Sequence, residues 1–265
     1  MYIRRVARYW TVIGLAATGA LVLSQLSNLR GSAQTGTTGG AAPAVVPVLI
    51  ELFSSEGCSS CPPADEYLIA LDRQPRIENA AVIALEEHVD YWDDIGWRDP
   101  FSSPQFSARQ RQYARVLPDD RVFTPELVVD GRWTLTQRTA AATRALLRQA
   151  AAEPKARVAL RCERSRLTFD IDNVPNVPPG DSAEIWLAIA QVGLSSQVDR
   201  GENSGRVLSH GPIVRKLSRI ARMPGSSFHG TTSCALEPAW KPNATRFVVF
   251  VQLAQSRRIV GAGVL

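Results

Sequence analysis

Residues 45–63 read VVPVLIELFSSEGCSSCPP, and this stretch decides the fold that the sequence predicts. The run up to residue 53 is rich in apolar and β-branched side chains, which is typical of a strand buried on both faces. After a short polar break, Cys58 and Cys61 form a C-x-x-C pair. Pro62 and Pro63 then start a helical stretch, because proline suits a first turn in which its missing N–H would have no partner. A strand, a turn, C-x-x-C and a helix in this order favour a redox pair.

The chemistry of disulfide exchange gives each cysteine of the pair a role. A thiolate is the nucleophile, so a redox cysteine needs a stabilised thiolate and access to solvent. We expect Cys58 to have both at the N-terminus of a helix, because unpaired N–H groups and the helix dipole favour S⁻. Cys61, one turn into the helix, would resolve the mixed disulfide. Two alternatives stay open, a permanent local disulfide and a metal site.

Further segments extend the pattern beyond the cysteines. Residues 80–89 predict a second buried strand, residues 105–117 have helical spacing, and residues 139–152 form an Ala- and Leu-rich helix that stops before a proline. Residues 121–131 contain a short strand that ends in Asp-Gly, a hairpin signal. The resulting order, β, α, β, α, β, β, α, is that of thioredoxin. We therefore predict an α/β thioredoxin-like domain over residues 45–154.

Three residues of this region are candidates to assist the cysteines. Thr124 and Pro125 would form the tight proline turn that faces C-x-x-C in a thioredoxin-like fold and offers main-chain groups to an extended substrate. An ordinary turn before a strand is the alternative. Glu51 lies in an otherwise apolar strand, where a carboxylate is costly unless it is paired or protonated. It is either a buried acid that carries a proton for Cys61 or a solvated residue at a rim.

The loop at residues 90–104, DYWDDIGWRDPFSSP, is crowded with aromatic and acidic side chains. We predict that Tyr91 and Trp92 line a substrate surface near the thiols, with anchoring of the loop to the core as the alternative. His88, just before the loop, is a candidate to join C-x-x-C in a soft copper or zinc site. Because only three ligands are present there, a closed zinc site is not expected. We predict no cofactor.

The pattern changes after residue 154. Apolar residues alternate with polar ones in short segments separated by turns, which predicts an all-β, sandwich-like domain over residues 155–265. Residues 200–206, RGENSGR, are interpreted as a hairpin turn with paired charges, and a contact surface for the first domain is the alternative. His210 and His229 have no ligand-like neighbours in the sequence and are interpreted as ordinary surface or core residues.

The N-terminal segment predicts export. Residues 1–33 combine a basic start, an apolar stretch and small residues suited to cleavage, which indicates a signal peptide or, alternatively, a retained N-terminal anchor. Residues 34–44 read as a flexible linker. The body of the protein would be periplasmic or secreted, or anchored in the inner membrane if the segment is retained. Disulfides persist there, so Cys162 and Cys234 are predicted to form a structural disulfide, with two separate buried thiols as the alternative.

Composition and charge limit the partners. The 265 residues are 45% apolar and 21% charged, as in a globular protein. The net charge of +5 depends on residues 1–33, which hold four of the 30 basic residues and no acid; the rest has 26 basic against 25 acidic residues. This balance does not support a nucleic-acid partner. A protein or small thiol substrate is expected, with membrane contact only through an uncleaved N-terminal segment.

Several of these stretches together resemble a bacterial family of exported proteins named domain of unknown function 1223. They are ELFSSEGCSSCPPAD (51–65), HVDYWDDIGWRDPF (88–101), FTPELVVDG (123–131) and RGENSGRVLSH (200–210). The resemblance implies a thioredoxin-like first part and supports redox roles for Cys58, Cys61 and Pro125. The W-C-G-P-C surround of thioredoxin is absent, and Glu51 is one position further from the first cysteine than the buried acid of thioredoxin. The expected function is thiol–disulfide exchange; the alternative is a non-catalytic copper-handling or ligand-binding module.

Overall fold

The structure is a computed structural model that describes residues 45–74 and 76–265. The predicted leader (1–33) and linker (34–44) lie outside the described residues. None of the helices within the described ranges is long and apolar enough to cross a membrane.

Within these ranges the chain forms thirteen β-strands, three α-helices and two short 3-10 helices. The strands are β1 Val46–Ser54, β2 Ala80–His88, β3 Glu126–Val129, β4 Trp133–Thr134, β5 Arg157–Glu163, β6 Arg166–Asp172, β7 Ala183–Gln191, β8 Ser195–Gln197, β9 Val207–Ser209, β10 Ile213–Arg222, β11 Phe228–Ser233, β12 Thr245–Leu253 and β13 Ile259–Val264. The helices are α1 Pro62–Asp72, α2 Pro104–Ala114 and α3 Ala140–Ala151, and the 3-10 helices are Asp90–Trp92 and Pro242–Ala244.

Eight strands form one mixed sheet in the order β13-β12-β7-β10-β2-β1-β3-β4. β1 and β2 are parallel because α1 crosses between them, and β3 returns antiparallel to β1. β10 joins the edge of β2 in parallel, where Ile213 pairs with Glu86. The predicted boundary at residue 154 therefore falls inside a continuous sheet, and the described residues on either side of it belong to one compact unit. Whether residues 45–154 and 155–265 are separate folding domains stays a prediction.

Strand β1 is covered on both faces, which confirms the prediction drawn from its composition. Ile50 and Leu52 pack against Leu68 of α1 and the other apolar residues on that face. Leu49 belongs to the core on the opposite face, together with Phe106 of α2. The sheet therefore has a helix on each side at the strand that leads into the cysteine pair.

A second, three-stranded sheet, β11-β6-β5, lies against the part of the large sheet formed by β7 and β12. Phe169 and Ile171 of the small sheet share a core with Ile185 and Val249 of the large one. Cys162 of β5 and Cys234, the residue after β11, form a disulfide. Two β layers thus enclose this core, and one of them continues into the strands of the first region.

Candidate functional site

The C-x-x-C segment lies between the end of β1 and the start of α1. Cys58 and Cys61 form a disulfide, and the Cys61 N–H donates to the carbonyl of Cys58 across a tight turn (3.2 Å). The helix begins at Pro62, so Cys61 is the N-cap residue. The expectation that Cys61 lies one turn inside the helix is corrected, because the two prolines start the helix after the pair.

The solvent access expected for Cys58 is not found in this disulfide state, since Cys58 is 1% exposed and Cys61 0%. The hairpin segment between β8 and β9 covers them. The side-chain amide of Asn203 donates to the carbonyls of Glu56 (2.8 Å) and Cys58 (3.0 Å). The carboxylate of Glu202 accepts a hydrogen bond from the N–H of Ser59 (3.0 Å). Residues 200–206 form the predicted hairpin turn. They also contact the cysteine segment, as the alternative interpretation of a contact surface for the first domain had it.

The proline turn lies at the same end of the sheet as the cysteines. The Thr124–Pro125 peptide is cis, and β3 begins at the next residue, Glu126. Glu126 pairs with Phe53 near the end of β1, so Pro125 lies beside the point where the chain leaves β1 for C-x-x-C. This position next to the cysteine segment agrees with the turn expected from the sequence.

The two aromatic residues predicted to bind substrate have different positions. The indole N–H of Trp92 donates to the hydroxyl of Thr124 (2.8 Å), and Trp92 also packs against Gly57. A Cβ at Gly57 would lie 3.1 Å from the Cβ of Trp92, so glycine allows this close approach. Tyr91 instead donates to Gln110 of α2 (3.0 Å), which anchors the loop. Trp92 thus bridges the proline turn and the cysteine segment, whereas the hydrogen bond of Tyr91 to Gln110 ties the loop to α2.

Glu51 is buried and ion-paired, so the alternative of a solvated rim is excluded. Its carboxylate accepts from Arg109 Nε (2.6 Å) and from the hydroxyl of Tyr113, both on α2. Burial alone would lower the pKa of Arg109, but the Glu51 carboxylate raises it. α2 covers one face of the sheet, and α1, whose N-cap is Cys61, covers the opposite face. The carboxylate therefore neutralises a guanidinium, and none of its hydrogen bonds within the described chain reaches a cysteine.

A different acid lies close to the pair. Asp65 is buried one helical turn after Cys61, and its carboxylate accepts a hydrogen bond from the hydroxyl of Ser54 (2.6 Å). Residues four apart lie on the same face of a helix. Burial, and then the nearby carboxylate of Glu86, raise the pKa of Asp65 to about 8. Sequence reasoning missed this residue, although its place in C-P-P-A-D, at helical spacing from Cys61, was a usable signal.

Two histidines and three carboxylates form a buried cluster beneath the cysteine segment. His88, at the end of β2, is between Glu86 (Nε2 to Oε1, 2.8 Å) and Asp99 (Nδ1 to Oδ2, 2.6 Å). His210 contacts Glu56 (Nε2 to Oε1, 3.0 Å), and its Nδ1 lies 3.3 Å from Oε1 of Glu86. The two imidazole rings meet edge to face with centroids 5.0 Å apart. We call these five residues the histidine–carboxylate cluster.

The imidazoles and carboxylates of the histidine–carboxylate cluster stabilise one another's charged forms. Burial opposes ionisation of Glu86, but the nearby imidazoles of His210 and His88 lower its pKa to about 2. Burial likewise opposes protonation of His210, but Glu56 and then Glu86 raise its pKa to about 9. Asp99 raises the pKa of His88 in the same way. The carboxylates of the cluster therefore favour a positive charge on each imidazole, and the imidazoles favour the ionised form of Glu86.

This cluster revises two of the histidine interpretations. Both ring nitrogens of His88 contact carboxylates, and the described side chains close enough to share a metal ion are Glu86, His88 and His210, without either cysteine. His210 is buried, which is one of the two positions predicted for it, but it has carboxylate neighbours that the sequence did not reveal, since the β9–β10 connection brings it across to the end of β2. His229 is the ordinary residue predicted, exposed and paired with Asp170.

The residue after the proline turn supports a prediction about pH. Glu126 is buried and accepts a hydrogen bond from the amide of Gln110 (2.8 Å). Burial raises its pKa from 4.5 to about 7. An acid with a higher pKa in the folded state makes stability fall as pH rises from the unfolded to the folded pKa. We expect Glu126→Gln to remove this fall and to gain on the order of 3 kcal/mol at pH 8, since one pKa unit is worth about 1.4 kcal/mol.

Urea unfolding between pH 4 and 8 measures the difference in free energy of unfolding between Glu126→Gln and the natural protein. Glu163→Gln, at an exposed position in β5, is the matched control and should leave the pH profile unchanged. A difference that stays constant across this pH range would show that Glu126 has an ordinary pKa.

Comparison with solved structures finds a relative that covers both halves of the chain. An X-ray crystal structure of a structural genomics target from Agrobacterium tumefaciens superimposes with a TM-score of 0.67 at 25% sequence identity. The match covers 85% of this chain and 96% of the other. No functionally curated protein matches the chain.

Comparison with protein families gives a match over most of the chain. The sequence model described as "Protein of unknown function (DUF1223)" matches residues 49–252. This range includes the cysteine pair, the proline turn, the covering hairpin and the histidine–carboxylate cluster. The chain therefore belongs to the DUF1223 family.

Proposed function

We propose that this protein is an exported thiol–disulfide oxidoreductase with a thioredoxin-like domain. The observation that carries the proposal is the Cys58–Cys61 disulfide at the N-cap of α1, directly after a buried parallel strand. Further support comes from the strand order β2-β1-β3-β4, with α1 and α3 packed on one face and α2 on the other. In a thioredoxin-like fold, the turn before β3, here Thr124 and Pro125, lies next to the redox pair.

The proposed reaction is a pair of disulfide exchanges. The Cys58 thiolate attacks one sulfur of a substrate disulfide, forms a mixed disulfide and releases the other substrate sulfur as a thiolate. The Cys61 thiolate then attacks Cys58 Sγ, which closes the Cys58–Cys61 disulfide and releases the second substrate thiolate. The substrate gains two electrons and the protein loses them. With a dithiol substrate the same steps run in reverse.

Asp65 is the proposed proton acceptor for Cys61. Its buried carboxylate lies one helical turn from that cysteine, and a pKa of about 8 suits proton exchange with a thiol near neutral pH. Glu51, expected from the sequence to have this role, is held by Arg109 and Tyr113 on the opposite face. We therefore transfer the proton-carrying role from Glu51 to Asp65.

The proposed substrate is a protein or small thiol compound that approaches along Thr124, Pro125 and Trp92. Asn203 and Glu202 form hydrogen bonds with backbone groups of the cysteine segment. The substrate therefore has to displace the covering hairpin to reach Cys58. An extended peptide could replace these hydrogen bonds with its own main-chain groups. Tyr91, which is 37% exposed, stays a predicted part of this surface.

The reduction potential of the cysteine pair tests the proposal. We expect a value of roughly −270 to −120 mV, the range of known exchange catalysts, in glutathione buffers with thiol trapping followed by mass spectrometry. Cys58→Ser and Cys61→Ser each remove the two-electron step, and Cys61→Ser should also trap a mixed disulfide through Cys58. Cys162 and Cys234 provide an internal reference that should stay oxidised throughout.

The burial of both cysteines favours a second candidate, a local structural disulfide. A pair that stays oxidised below about −300 mV would establish this candidate and overturn the oxidoreductase proposal. The copper-handling alternative has less support, since His88 is engaged by Glu86 and Asp99 rather than by the cysteines.

A further inference from the structure

Three atoms of the histidine–carboxylate cluster converge on one point. They are Glu86 Oε1, His88 Nε2 and His210 Nδ1, and each lies within 4.8 Å of the other two. The carboxylate oxygen is 2.8 Å from the first imidazole nitrogen and 3.3 Å from the second. Ligand atoms around a tetrahedral zinc ion are about 3.3–3.4 Å apart, because zinc–nitrogen and zinc–oxygen distances are about 2.0–2.2 Å. The second of these distances already has that value, and the first is about half an ångström shorter.

The nitrogen of each imidazole that faces away from this point is held by another carboxylate. His88 Nδ1 contacts Asp99, and His210 Nε2 contacts Glu56. Metal-binding histidines almost always donate the second ring N–H to such a partner, which fixes the tautomer and strengthens the ligand. The two carboxylates are themselves fixed, Glu56 by the indole of Trp97 (2.7 Å) and Asp99 by backbone N–H groups.

An unsatisfied atom gives an independent indication of a missing ligand. His210 is 3% exposed, yet its Nδ1 has no hydrogen-bond partner, because its approach to Glu86 has the distance of an ion pair without the geometry of a hydrogen bond. A buried polar atom left without a partner is costly. This nitrogen points to the same place as Glu86 Oε1 and His88 Nε2.

We propose that Glu86, His88 and His210 bind one divalent transition-metal ion of the zinc class. Two imidazoles and one carboxylate form a ligand set that holds zinc in several enzymes and leaves the fourth position open. The ion would replace imidazole protons as the positive charge facing Glu56, Glu86 and Asp99. The proposal does not depend on the redox function, since neither cysteine is a ligand.

A surface cavity lies next to one of the ligands. His210 and Gly211 line this cavity of about 250 Å³, together with Asp72 and Ser209. The imidazole of His210 is itself 0% exposed, so an ion that enters from this side has to move part of the cavity wall to reach it.

Zinc titration of the metal-stripped, full-length chain tests the proposal. We expect one Zn²⁺ per chain in competition with a chromophoric chelator, and a higher melting temperature of the stripped protein when Zn²⁺ is added. Residues 1–44 contain no His, Cys, Asp or Glu, so their side chains offer no competing site of this kind. Glu86→Gln and His210→Gln should each lose stoichiometric binding.

Matched variants distinguish this site from zinc binding elsewhere on the chain. His229→Gln removes the third histidine of the chain and should bind zinc as the natural protein does. Asp99→Asn keeps all three ligands but weakens the support of His88, and should lower the affinity by about 10–100-fold. The Cys58→Ser/Cys61→Ser variant should bind zinc normally, even though it has lost any redox activity.

Three results would overturn the proposal. They are absence of zinc binding by the folded natural protein, unchanged binding by folded Glu86→Gln, and loss of binding in the Cys58→Ser/Cys61→Ser variant. If Glu86→Gln or His210→Gln does not fold, Asp99→Asn and the thermal shift of the natural protein decide. None of these results bears on the reduction potential, so the two proposals can fail separately.

Discussion

Replacement of Arg109 by alanine is expected to lower the free energy of unfolding by about 3–5 kcal/mol, because it leaves a buried carboxylate without its counter-charge. Arg109 is buried between Glu51 (2.6 Å) and Gln252 (3.0 Å), and Glu87 lies 3.5 Å from its Nε. Burial and the nearby Glu51 raise the pKa of Glu87, whereas Arg109 and Arg257 oppose this rise. Loss of Arg109 would leave Arg257 as the guanidinium that faces both carboxylates. Urea unfolding at pH 7 measures the loss.

The control for this variant is on the same helix. Arg111→Ala removes an exposed arginine from α2 and should change stability by no more than about 0.5 kcal/mol. The Arg109→Met/Glu51→Gln double variant should recover much of the loss, because a buried pair replaced as a whole costs far less than a broken one. If Arg109→Ala were as stable as Arg111→Ala, the buried ion pair would not exist in solution.

The second large effect concerns the disulfide between Cys162 and Cys234. We expect the Cys162→Ala/Cys234→Ala variant to lose about 4 kcal/mol, from the chain-entropy relation for a loop of this length. The cysteines are 72 residues apart, and the bond ties the small sheet to itself across β5, β6 and β11. Urea unfolding under oxidising conditions, with intact disulfides verified by mass, provides the measurement.

The cysteine pair of the candidate site is the matched comparison. Cys58 and Cys61 are three residues apart, so the same relation gives only about 2 kcal/mol for their removal. The Cys162→Ala/Cys234→Ala variant should therefore be the less stable of the two. The opposite order would mean that the long loop is already restricted in the unfolded chain.

Local patterns predicted those features whose causes are local. The β-branched run of β1, the prolines after Cys61 and the Asp-Gly hairpin each act within a few residues, and they placed C-x-x-C between a strand and a helix. The element order from β1 to α3 followed from the same signals. The one error in the predicted start of α1 was the position of the N-cap residue, which is Cys61.

Partners far apart in the chain were outside the reach of these patterns. Arg109 is 58 residues from Glu51, and His210 is 154 residues from Glu56. No periodicity within one segment can show that two such side chains meet. The sequence therefore left Glu51 as either a buried acid or a solvated residue, and His210 was interpreted as an ordinary surface or core residue. The pairing of β10 with β2, which creates the histidine–carboxylate cluster, is a contact of the same long-range kind.

The seam between β2 and β10 also limits how this protein can change by recombination. Ser54 and His88 lie on one side of the seam, whereas Asn203 and His210 come from the other. A chain cut at residue 154 would expose the open edge of β2, a template for unwanted pairing with other chains. It would also remove the hairpin with Glu202 and Asn203 that covers the cysteines. We therefore expect that the first half does not keep its site when the second half is exchanged for an unrelated sequence.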